Sequence, residues 1–71
     1  MEAAAVSLLR WLRRQLRQPG PTRERLEAAV ANDDPGEVRR LLAGFEFSEA
    51  QRHHVENMLA AWERERRLRQ G

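Results

Sequence analysis

A chain of 71 residues has room for one domain, close to the smallest size at which a hydrophobic core offsets the entropy of ordering the backbone. It carries no cysteine, 13 arginines with no lysine, and 11 carboxylates, for a formal net charge of +2. These counts exclude a disulfide framework, a thiolate nucleophile and any cysteine-based metal centre, and they fit a reducing cytoplasm.

Residues 3 to 17 are predicted to form the first helix, because Ala5, Leu8, Leu12 and Leu16, flanked by Leu9 and Trp11, recur at helical spacing. Arg10, Arg13, Arg14 and Arg17 take the opposite side with Ser7. The first 20 residues share one trait with targeting peptides, being arginine-rich and nearly acid-free, and a helix of the mature chain explains the same pattern. "QPGP" stops the helix by removing backbone donors and favouring a turn.

A short helix is expected over residues 23 to 31, with Thr22 as N-cap, Glu24 near the positive end of the dipole, and Leu26, Ala29 and Val30 as its apolar stripe. "NDDPGE" then announces a third helix from Pro35 to about Ala43. Asp34 is its cap, Pro35 suits the first helical position, and Glu37 stands where a capping box requires it. Val38, Leu41 and Leu42 should be buried, with Gly44 as a left-handed terminator. Phe45 and Phe47 read as aromatic plugs on a connector, and Ser48 with Gln51 makes a second capping box. The last helix should run from Glu49 to about Arg67 on an apolar face of Val55, Met58, Leu59 and Trp62. Residues 63 to 71 are charged all round except Leu68 and are expected to fray or project into solvent, with Glu63 to Arg67 and Glu65 to Arg69 as surface pairs.

The fold class that follows is all-α, a single domain over residues 1 to 71: a small four-helix unit with long first and last helices and two short ones between. The middle stretch "LEAAVANDDPGEVRRLLAG", 19 residues, resembles a helix pair from an ankyrin-type or other α-solenoid repeat. A solenoid needs about three stacked units and the chain has no second copy, so no repeat-protein function is carried over.

Chemistry-bearing groups are sparse. His53 and His54 are adjacent, so on a helix they point about 100° apart and cannot chelate one metal; Glu56 adds a second ligand to His53 but no third is near in sequence. Ser7, Ser48 and Thr22 lack a nucleophile elbow, and the four glycines are isolated rather than set in a phosphate-cradling loop. No catalytic residue, metal or cofactor is therefore assigned, and the chain is expected not to be an enzyme. The longest apolar run, "AAAV", is far short of the roughly 18 residues that a spanning helix requires.

Charge divides the chain by segment. Residues 1 to 20 hold four arginines and one acid, residues 21 to 50 four arginines and seven acids, and residues 51 to 71 five arginines and three acids, giving +3, −3 and +2. Two basic ends around an acidic middle suit attraction to a partner protein or a second copy as well as to a nucleic acid. The sequence thus reads as a small cytoplasmic adaptor, chaperone-like partner or inhibitor that binds a protein or its own second copy. Trp11, Leu12, Leu16, Met58 and Trp62 are its candidate apolar contacts, and Arg10, Arg13, Arg14 and Arg17 the steering charges. A DNA- or RNA-binding regulator using the same arginines is the second reading. Membrane attachment through the first helix is disfavoured because its leucines are needed in the core.

Overall fold

A computed structural model of the chain describes residues 3–18 and 20–70. They form four helices: α1 (Ala4–Gln15), α2 (Pro21–Ala31), α3 (Pro35–Leu42) and α4 (Glu49–Gln70). No strand occurs among the described residues, and no helix there is long and apolar enough to cross a membrane. The all-α class and the order of long and short helices follow the sequence reading.

Leu8 and Leu12 from α1, Leu26 and Ala29 from α2, Val38 and Leu42 from α3, and Val55, Leu59 and Trp62 from α4 make one buried core. Helix α1 lies antiparallel along α4. The Ala4 amide donates to the Glu65 carboxylate at 3.3 Å near one end of the pair, and Gln51 Nε2 donates to Gln15 Oε1 at 3.2 Å near the other. Ala3 caps α1 without a side-chain acceptor, so Glu65 reaches across to satisfy an amide at the positive end of the α1 dipole. Helix α2 packs against α1 and forms a hairpin with α3, which closes onto α4.

Both capping boxes are largely local matters and form as expected at their amides. The Asp34 carboxylate accepts from the Glu37 amide at 3.1 Å, and Ser48 and Gln51 exchange reciprocal bonds, 3.1 Å to Ser48 Oγ and 2.9 Å to Gln51 Oε1. The Glu37 carboxylate does not turn back on the cap; it forms a forked pair with Arg40.

Two local expectations are corrected. Thr22 is not the cap of α2: Pro21 takes the first helical position behind Gly20, because a residue without an amide hydrogen loses nothing where that hydrogen would be orphaned. Gly44 is not a left-handed terminator, since α3 ends through Ala43 in a right-handed conformation whose amide donates to the Arg39 carbonyl. The left-handed residue is Asp33, φ 54°, at the end of α2. There the Asp33 amide donates to the Val30 carbonyl and the Asp34 amide to the Ala29 carbonyl, which is the Schellman pattern with aspartate where glycine commonly stands.

The final stretch also differs from expectation. Helix α4 continues to Gln70, about 33 Å of helix by its rise per residue, past the expected end near Arg67. Its charged side chains reach other helices instead of pairing along their own. Glu63 engages Arg39 at 2.6 Å, Glu65 the α1 amide, and Arg69 Asp33 at 3.1 Å. Leu68 does project into solvent, 75% exposed.

Candidate binding surface

The four arginines singled out from the sequence do not form one helical stripe. Leu16 turns out of α1 at φ −104°, ψ 75°, so Arg17 belongs to the link before α2 and only Arg10, Arg13 and Arg14 ride on the helix. Arg13 is committed to α2, its Nε and Nη2 donating to Glu27 at 2.8 and 2.7 Å. Arg10 is exposed and already engaged. Arg14 and Arg17 are exposed and have no carboxylate partner among the described residues.

The apolar candidates separate by burial. Leu12 and Trp62 are 2% and 1% exposed, so both are core residues and neither offers a surface to a partner. The physical reason is that α1 and α4 bury their apolar stripes against each other, with Leu8, Val55 and Leu59 between. Leu16 and Met58 are half-buried at the core margin, and Trp11 is half-buried with its ring tilted against His54 at 5.3 Å and Phe47 at 5.8 Å between centroids. Phe47 in turn stacks on Phe45 at 5.5 Å. A chain of rings therefore runs from the α3–α4 connector across to the outer edge of α1, and Arg14 follows Trp11 by one helical turn.

On the other side of those phenylalanines lies an open groove of about 370 Å³ between the end of α3, the connector and the first turns of α4. Leu42, Phe45, Phe47 and Val55 supply its apolar wall, and Arg39, Arg52 and Glu56 its polar rim. Arg39 is locked: its guanidinium donates to both Glu56 oxygens, at 2.9 and 2.7 Å, and to Glu63 at 2.6 Å, and these carboxylates hold its pKa above the ordinary arginine value. Arg52 is exposed and has no carboxylate partner among the described residues. The groove escaped the sequence reading because its walls come from three elements whose positions only packing sets.

Asp33 is a second feature with no sequence signal. Its carboxylate accepts from the indole Nε1–H of buried Trp62 at 2.6 Å, from Arg66 at 3.3 Å and from Arg69 at 3.1 and 3.2 Å. The Trp62 hydrogen bond first, then the nearby Arg69 and Arg66 guanidiniums, hold the carboxyl below its ordinary pKa against a partial desolvation that pushes it up. The arrangement staples the α2–α3 turn to the last turns of α4, and it satisfies the one polar atom of the largest core side chain.

For chemistry the surface offers charge and apolar contact. Among the described residues no group of three or more His, Cys, Asp or Glu side chains is placed to hold a metal ion, and no buried side-chain nitrogen or oxygen lacks a partner. His53 and His54 are both exposed, and His54 has its ring on Trp11. No family model matches the chain, and neither the curated proteins nor the solved structures contain a match to it.

Proposed function

We propose that the protein is a small non-catalytic binding module, an adaptor or inhibitor in type, that docks to another protein through the outer side of α1 and the link that follows it. One observation carries this reading. The apolar stripes of α1 and α4 are spent on each other in the core, whereas Arg14 and Arg17 stand exposed without an acidic partner among the described residues, and Arg14 lies one helical turn from Trp11, whose half-buried ring meets half-buried Phe47 and exposed His54. Exposed guanidiniums near an aromatic contact suit recognition of an acidic protein surface, where they steer encounter and fix register. Against a nucleic acid, Trp11 and Phe47 are turned into each other rather than standing clear to stack a base, and the −3 charge of residues 21 to 50 repels a long polyanion.

The test compares the natural chain with the double variant Arg14→Glu, Arg17→Glu. The expected result is stoichiometric capture of a protein from nuclease-treated extract by the natural chain and loss of that capture by the variant, with helix content unchanged. Tight binding to a random-sequence duplex, with a log-log salt slope of roughly −3 to −4 and sensitivity to the same variant, overturns the proposal in favour of a nucleic-acid regulator. Sedimentation of the natural chain alone at twice its mass, abolished in the variant, makes the second copy the partner.

A further inference from the structure

The groove at the start of α4 deepens that reading and rests on it. We infer that the partner is an acidic peptide segment with a bulky apolar side chain, and that this side chain seats in the groove while a neighbouring carboxylate meets Arg52.

Size and lining favour a side chain over a larger body. About 370 Å³ lies at the small end of the roughly 300–1,000 Å³ typical of ligand sites, which is room for one leucine or aromatic side chain with its backbone at the mouth. Leu42, Phe45, Phe47 and Val55 give that side chain an apolar wall. Charge decides the occupant's sign. Of the described residues that line the groove Glu56 is the acid, and both its oxygens accept from Arg39, so Arg52 is the charged lining group left for an occupant. Arg52 on the same rim is unengaged by any carboxylate among the described residues, including Glu49 one turn before it. Continuity supplies the rest: Phe47 belongs to the groove wall and also touches Trp11, which lies one turn from Arg14. A peptide seated in the groove can therefore run over the ring chain toward the α1 arginines without leaving the surface.

The experiment uses the full chain, labelled with ¹⁵N, and a short fluorescent peptide in which two leucines are flanked by aspartates and glutamates. A second peptide has serines for the leucines. Two surface variants are compared: Ala43→Phe, which fills the groove from its exposed rim, and Arg52→Glu. Thermal denaturation establishes that both are folded. Supporting results are amide shifts at Ala43, Phe45, Phe47 and Val55, about tenfold weaker binding by the serine peptide and by Ala43→Phe, and a two- to fivefold loss, roughly, with Arg52→Glu. Equal binding of both peptides, with shifts confined to α1, overturns the groove while leaving the α1 reading intact. Absence of binding by the leucine peptide up to millimolar concentration also overturns the groove, and the capture experiment on Arg14 and Arg17 then judges the α1 reading separately. Single-strand oligonucleotide binding at the same amides, without peptide binding, overturns both.

Discussion

Trp62 gives the sharpest test of the packing, because its burial decides whether it belongs to the core or to an interface. The side chain is 1% exposed, and its indole N–H is bonded to Asp33 at 2.6 Å. Truncation by Trp62→Ala removes the largest core side chain and is expected to cost about 3–5 kcal/mol, the range for buried aromatics cut back to alanine. A domain of this length has roughly 4–11 kcal/mol of total stability at 0.05–0.15 kcal/mol per residue, so the variant should be marginal or unfolded. Trp62→Phe keeps most of the ring and loses the hydrogen bond, for an expected cost of about 2 kcal/mol, the scale of a bond to a charged acceptor. Urea denaturation followed by far-ultraviolet circular dichroism measures both, since Trp11 alone would report only its own end of the molecule. A Trp62→Ala unfolding free energy within about 1 kcal/mol of the natural chain's would refute the core placement and restore Trp62 as a contact for a partner.

Four further outcomes are expected. Asp33→Gly relieves a left-handed φ of 54° yet removes the acceptor for Trp62, Arg66 and Arg69, so it should destabilise; a higher melting temperature would show that the backbone outweighs the staple. Because the folded Asp33 pKa is depressed, its contribution is full above the ordinary aspartate value of about 3.9 and is lost as pH falls through the lower folded value. Stability measured from pH about 5 downward should drop less steeply in Asp33→Asn than in the natural chain. Ser48→Ala breaks the capping box of α4 and should cost about 1 kcal/mol by the same urea assay, with no cost indicating that solvent caps the helix equally well. Leu59→Ala, at 1% exposure, should lose about 2–5 kcal/mol, whereas Leu68→Ala, at 75% exposure, should change stability by less than about 0.5 kcal/mol; equal effects would contradict the assigned burial.

What the sequence by itself determined is local. Helical periodicity placed Leu8 and Leu12, Val38 and Leu42, and Val55, Leu59 and Trp62 on faces that become the core, because a repeat near 3.6 residues leaves one side of a helix apolar whatever it packs on. Asp34 before Pro35, and Ser48 three residues before Gln51, marked helix starts because a cap bonds an amide two or three positions away. Tertiary structure decided the rest. Whether Trp62 faces a core or a partner depends on α1 lying along α4, and the Asp33 staple joins residues 29 to 36 positions apart, a separation that no local pattern encodes. The ends of α1 and α2 depended on how the link through Leu16 and Gly20 leaves one helix and enters the next, so the arginine row read as four residues holds three on the helix. The groove beside Phe45 and Phe47, and with it the surface on which the binding proposal can be tested, exists only because α3, the connector and α4 meet there.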